Sequence, residues 1–252
     1  MSITKQRADQ LVFLQGLTTS KEQAKRLIMA GQIYIVPETP NSQPIKVQKP
    51  GQQFPIDTQF TLTCAERFVS RGAYKLLSLL EVFNLDVTGF VCVDAGASTG
   101  GFTDCLLQHN AKRIYAIDVG HNQLHEKLRE DPRVISFEGV NLRFAPANLI
   151  PEQVDLITAD VSFISLTLIL KPCLQWLKST GQVAVLIKPQ FELGPKETVK
   201  GVVRDPKAQQ RAVDKIVNFA TTELDLNLLA VTPSSLKGPK GNQEYMALFG
   251  RA

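Results

Sequence analysis

Val91-Cys-Val-Asp94-Ala-Gly96-Ala-Ser98-Thr-Gly100-Gly101-Phe102 decides how the rest of the chain is read. Three apolar residues run into an aspartate and a glycine-rich turn. Phe102, Leu106 and Leu107 then repeat at helical spacing. A strand that enters a tight glycine turn and leaves as a helix brings backbone N–H groups close to a ligand.

Three readings of the turn compete. The dinucleotide and P-loop spacings fail, because neither G-x-G-x-x-G nor a Lys after the glycine pair is present. The G-x-S-x-G elbow of α/β-hydrolases fits locally, but that fold needs a histidine late in the chain. The last one here is His125, ahead of the strands that would supply the late triad members. The third reading is the D-x-G-x-x-x-G-G turn, which resembles that of S-adenosylmethionine (SAM) methyltransferases. An acid after the next strand then takes the ribose hydroxyls, as in dinucleotide sites. Ile114-Tyr-Ala-Ile117 runs into Asp118 and supplies it.

Outward from the turn, the chain has 252 residues and a net charge of +4. Residues 1–62 carry seven Lys/Arg against four Asp/Glu, so +3 lies there and +1 over 63–252. A local basic bias suits an anionic partner. No apolar run approaches the ~18 residues of a membrane span, and Met1–Arg7 lacks the apolar core of a signal peptide. Cys64, Cys92, Cys105 and Cys173 are scattered without a ligand pattern. No metal site is expected, and a reducing cytoplasm is.

Arg7 to Gln15 reads as a short helix closed by Gly16. Thr18-Thr-Ser20 caps a second, with Ala24, Leu27 and Ile28 on one face and Lys21, Lys25 and Arg26 beside it. Strand-like pieces follow at 33–36, 45–47 and 60–62. Arg7-Ala-Asp-Gln-Leu11, Ser20-Lys-Glu-Gln-Ala24-Lys-Arg-Leu27-Ile and Ala30-Gly31-Gln-Ile33 resemble the S4 domain, a small α+β RNA-binding module. The loop Pro37–Pro44 stands where that module has a tight hairpin. The resemblance implies RNA contacts from Arg7, Lys21, Lys25 and Arg26. The expected division is an S4-like domain over 1–62, a linker over 63–70 and a second domain over 71–252.

The second domain reads as doubly wound α/β. A helix carries Leu76, Leu79, Leu80 and Phe83, and strands recur at 114–117, 134–137, 156–159, 183–187, 226–231 and 245–249. Asp205-Pro206 opens a long helix, while Leu174, Trp176 and Leu177 are placed on another, with Trp176 in the core. Open α/β sheets bind ligands beyond the carboxyl ends of their strands. Four strands deliver a charge there: Asp94, Asp118, Asp160 and Lys188. In SAM methyltransferases the seventh strand is antiparallel, which brings Glu244, just before 245–249, to the same edge.

Lys75, Asp160, Lys188 and Glu244, in this order, resemble the K-D-K-E tetrad of FtsJ-type RNA 2′-O-ribose methyltransferases. Val69-Ser-Arg-Gly72, Asp94–Asp104, Ala116-Ile-Asp-Val-Gly120, Asp131-Pro-Arg-Val134, Asp160-Val-Ser-Phe-Ile-Ser165, Lys188-Pro-Gln-Phe-Glu192 and Gly241-Asn-Gln-Glu244 narrow the resemblance to the TlyA-type rRNA methyltransferases, also called haemolysins. That resemblance implies a Rossmann-like sheet of seven strands, the last antiparallel, and SAM as cofactor. It further implies ribosomal RNA or its subunits as partner, and cytidine as target. SAM would be held by Asp94, Gly96, Ser98, Thr99, Gly100, Gly101, Asp118, Val119, Asn141 and Asp160. Lys188 would be the base, Asp160 and Glu244 would orient it, and Lys75 would contact ribose or phosphate. Arg71 is read two ways, as a phosphate contact or as the partner of an acid, and the loop 191–204 as closing over RNA. The alternatives are an RNA-binding protein with a non-catalytic methyltransferase-like domain and a membrane-lytic protein. The intact tetrad disfavours the first, and the lack of a spanning or long basic amphipathic segment disfavours the second.

Overall fold

The computed structural model describes residues 4–37, 44–62, 67–194 and 197–251. The chain divides into two compact units, Met1–Arg67 and Phe68–Ala252. The first holds β1 (Lys5–Arg7), α1 (Ala8–Leu14), α2 (Lys21–Met29), β2 (Ile33–Ile35), β3 (Ile45–Lys46), β4 (Gln53–Pro55) and β5 (Phe60–Leu62). Its core is Ala8, Leu11, Val12, Ala24, Ile28, Ile33, Val47 and Phe60. Ser20 caps α2 by accepting from Gln23 N at 3.1 Å, as its place in the sequence suggests. β3, β2 and β5 form one antiparallel sheet and β1 pairs with β4 in a second. This second pair has no apolar alternation and is invisible to a pattern reading. Most of the loop 37–44 lies outside the described residues.

The second unit adds α3 (Ala73–Val82), β6 (Val91–Ala95), α4 (Gly101–Gln108), β7 (Arg113–Ile117), α5 (Glu126–Arg129), β8 (Val134–Phe137), β9 (Val154–Ala159), α6 (Leu166–Cys173), β10 (Leu177–Ile187), α7 (Pro189–Glu192), α8 (Pro206–Glu223), β11 (Leu226–Pro233) and β12 (Tyr245–Arg251). The strands form one sheet in the order β11-β12-β10-β9-β6-β7-β8. β12 runs antiparallel to both β10 and β11, and the inner strands are parallel. Alternate residues feed opposite faces. Val91 and Val93 join the face covered by α6 and α8, while Cys92 joins the one covered by α3 and α4. Buried on both sides, these strands read as continuous apolar runs. α8 starts as its sequence dictates, with Asp205 accepting from Lys207 N and Ala208 N.

Two expectations change. Leu177 is not helical: Trp176 sits in a single 3-10 turn, its indole N–H donating to Ala147 O at 3.0 Å, and Leu177 opens β10. The polar stretch 178–182 conceals the strand, and its pairing with β9 shifts register between Leu177 and Gln182. Nor do all of residues 63–70 form a linker. Residues 63–66 lie outside the described ones, but Phe68 is buried in the second core and Val69 N donates to Asp104 at 2.8 Å. No helix among the described residues is long and apolar enough to cross a membrane.

Candidate active site

The carboxyl ends of β6, β7, β9 and β10 meet at one edge of the sheet. A cleft of about 400 Å³ there is bordered by Gly96, Ser98, Asp118, Val119, Asn141 and Asp160. A smaller one, about 160 Å³, is bordered by Asp94, Thr99, Gly101 and Lys188. Gly96, Ser98, Asp160 and Ser162 border both. Every residue expected at the cofactor except Gly100 therefore lines one of the two. Gly100, at φ +93°, faces inward: a Cβ there would lie 2.2 Å from Leu128 Cδ1 and 2.8 Å from Leu124 Cδ1. Its freedom serves the packing of the turn onto the segment around α5.

Asp94 is 1% exposed and is engaged inside the protein. One carboxylate oxygen accepts from Thr103 N (2.9 Å) and Thr103 Oγ1 (2.7 Å), the other from Thr158 Oγ1 (3.1 Å). Burial pushes its carboxyl up to about 6, against the pull of those hydrogen bonds and with a further push from the charge of Asp160. Asp94 thus braces the turn from beneath. Asp118 accepts from Ser98 N at 2.8 Å and Gly120 N at 2.7 Å, which fixes its carboxylate beside the larger cleft.

The tetrad assembles as two ion pairs. Lys75 Nζ, from α3, lies 2.6 Å from Glu244, which is fully buried at the start of β12. Lys188 Nζ, just beyond β10, lies 2.5 Å from Asp160 Oδ1 and donates to Ser162 Oγ at 2.9 Å. The Asp160 contact is a close charge pair without a well-directed hydrogen bond. Glu244 therefore neutralises Lys75, where the sequence reading had it orienting Lys188, and the hydroxyl of Ser162 takes that place. Gln190 Nε2 reaches Glu244 at 3.3 Å.

Phe163, beside Ser162, is 90% exposed at φ +64°, its ring 5.0 Å from that of Phe191. Lys188 Nζ stands 5.9 Å over the Phe191 ring. Ser162, Phe163 and Gln190 lie inside the quoted motifs, but nothing in their types or spacing marked them. Part of the loop expected over 191–204 is ordered structure. α7 covers its start, and Val199 and Val202 close a hairpin further on.

In the first unit, Lys21, Lys25 and Arg26 are exposed on α2, with Glu22 3.7 Å from Lys25. Arg7 differs from expectation. Its guanidinium is bidentate on buried Asp9, at 3.0 and 2.6 Å, and holds that carboxyl below the usual range. It ties α1 to β1. Arg71 is exposed and pairs with no acid among the described residues.

A seven-stranded sheet with a reversed strand beside a K-D-K-E cluster has counterparts among known proteins. The FtsJ-like methyltransferase family matches residues 68–251. The chain belongs to that family. It is 40% identical over 242 residues to the 16S/23S rRNA (cytidine-2′-O)-methyltransferase TlyA of Mycobacterium tuberculosis, spanning 95% of this chain and 87% of that one. It is 36% identical to Hemolysin A of Brachyspira hyodysenteriae over 249 residues, 96% of this chain and 99% of the other. A solved structure from Streptococcus thermophilus, provisionally named a hemolysin, superposes with a TM-score of 0.73 at 40% identity, covering 100% of this chain and 90% of that one. For a methyltransferase of this family, the pairing of Lys188 with Asp160 where two clefts meet is the feature to explain.

Proposed function

We infer that this protein transfers a methyl group from SAM to the ribose 2′-hydroxyl of a cytidine in ribosomal RNA, acting in the cytoplasm. The observation that carries the reading is Lys188. It is 8% exposed, set on Asp160 and Ser162, and borders the smaller cleft where that cleft shares Asp160 and Ser162 with the larger. The larger cleft suits SAM in size and lining. Asp118 would take the ribose hydroxyls, the backbone of the 96–101 turn the amino-acid moiety, and Val119 and Asn141 the base. Bound there, SAM supplies an electrophilic methyl on a sulfonium, which leaves as the thioether when the ribose oxygen takes the methyl.

The chain's own residues position that oxygen and accept its proton. Lys188 Nζ is the group placed to take the 2′-hydroxyl proton, with Asp160 and Ser162 holding it in position. Lys75, its charge balanced by Glu244, keeps further N–H donors for the ribose. Phe163 offers an exposed flat face of the kind on which nucleobases stack. The first unit, through Lys21, Lys25 and Arg26, supplies affinity for RNA, as its S4 resemblance implies.

Lys188→Met keeps the aliphatic stem and removes the nitrogen. It should lower single-turnover methylation by about 10²–10⁴-fold with SAM affinity retained. A rate within tenfold of wild type would remove Lys188 from the base role. Mass-spectrometric mapping of 2′-O-methyls in rRNA, with and without the gene, tests the substrate directly. If no nucleotide changes, the protein is the RNA-binding alternative with an idle methyltransferase-like domain.

A further inference from the structure

Three Lys-Gly pairs, at 200–201, 237–238 and 240–241, gather at two loops of the second unit. Lys200 and Gly201 form the tip of a two-residue hairpin closed by Val199 N→Val202 O (2.9 Å) and Val202 N→Val199 O (3.0 Å), with φ of +52° and +79°. Such tips favour Asn-Gly, and here a lysine holds the first left-handed position. Lys240 and Gly241 repeat the conformation at +57° and +86°. Non-glycine residues kept at positive φ concentrate where function requires them.

The two loops are locked together. Lys240 Nζ lies 3.5 Å from Lys200 O. Asn242, 3% exposed, accepts from Val203 N at 3.0 Å and donates to Gly201 O at 2.9 Å. The second loop also bears on the tetrad: a Cβ at Gly238 would lie 2.0 Å from Glu244 Oε1. Lys200, Lys237 and Lys240 are exposed, and none forms an ion pair with a described acid. The nearby acids are engaged elsewhere: Glu197 with Arg211, Asp205 at the cap of α8, Glu244 with Lys75.

We propose that Lys200, Lys237 and Lys240 form a rigid phosphate-binding rail that grips the RNA backbone next to the reacting ribose. The inference rests on the reading of function above and names which strand segment the catalytic unit holds for itself. Fixed lysines beside the tetrad would set the register of the ribose along the strand, because phosphate contacts position a nucleic acid without reading its sequence. Asn242 keeps the two halves of the rail at one spacing.

The test uses the full chain with ribosomal subunits from a strain lacking the gene, at several KCl concentrations. In K200Q/K237Q/K240Q the salt slope of binding should flatten by about two units, three single-strand contacts at roughly 0.7 each. KM for subunits should rise at least tenfold while the Kd for SAM stays fixed. The triple arginine variant should restore the wild-type slope. An unchanged slope and KM in the glutamine variant would overturn the rail. Weakened binding with an unchanged slope would also overturn it, since the lysines would then meet a protein surface. If wild-type protein methylates neither subunit, the functional reading fails, yet the binding slope still decides the lysines.

Discussion

Asp94 borders the smaller cleft and at the same time braces the glycine turn through Thr103 and Thr158, a second task that its place after an apolar run does not announce. Its carboxyl, pushed up to about 6 from an ordinary 3.8, holds its proton in the folded state through a range where the unfolded chain has lost it. Stability from this group is therefore full below about 3.8 and is lost as pH rises through about 6, a cost on the order of 3 kcal/mol at neutrality. Asp94→Asn should remove that dependence. Its amide oxygen can still accept from Thr103, and its amide N–H can donate to Thr158 Oγ1. Melting temperature measured from pH 4 to 8 should fall less for the variant than for wild type, and a parallel fall would show that Asp94 does not titrate there. Asp160, Lys188 and Glu244, by contrast, are legible because each follows or precedes an apolar strand at one sheet edge, while Lys75, on α3, enters only through the resemblance to the K-D-K-E tetrad. The division of the four into two pairs is not legible, since pairing depends on side-chain reach across elements far apart in sequence.

At the scale of elements, the inner strands of the large sheet are legible because burial on both faces makes them mostly apolar, as in Val91–Val93 and Val183–Ile187. β1 and β4 escaped notice for the opposite reason: backbone bonds hold them, and their side chains carry no signal. Glu192 gives a similar lesson at a helix terminus. The sequence shows it only as the end of Lys188-Pro-Gln-Phe-Glu192. In the fold it is 5% exposed and accepts from Ser165 Oγ (2.5 Å) and Leu166 N (2.9 Å), capping α6 from another element, with Lys215 Nζ 3.5 Å away. Glu192→Ala leaves those donors buried and unmatched. The expected loss is about 2–4 kcal/mol, read as a lower urea midpoint at constant m-value. Glu192→Gln, which keeps an acceptor, should lose less. Equal stability of all three proteins would mean that water or Thr167 replaces the cap.

Over the whole molecule, charge is unevenly divided: +3 over residues 1–62 against +1 over 63–252. Exchange of Lys21, Lys25 and Arg26 for Gln should flatten the salt slope of subunit binding by two to three units if each meets a phosphate, at roughly 0.7–0.9 per contact. Methyl transfer at saturating RNA should be unaffected. A slope equal to wild type would mark α2 as a solvated helix that does not grip RNA. The order of assembly follows from a different whole-chain feature. Among the described residues β11 has no neighbour in the sheet but β12, which wedges between it and β10, and Glu244, 169 residues from Lys75, arrives with that strand. A ribosome adds residues from the amino end, so the turn, Asp118 and Lys188 all emerge before the strand that completes the site. The growing chain thus holds the glycine turn and Lys188 before it holds Glu244, so Lys75 waits longest for its partner.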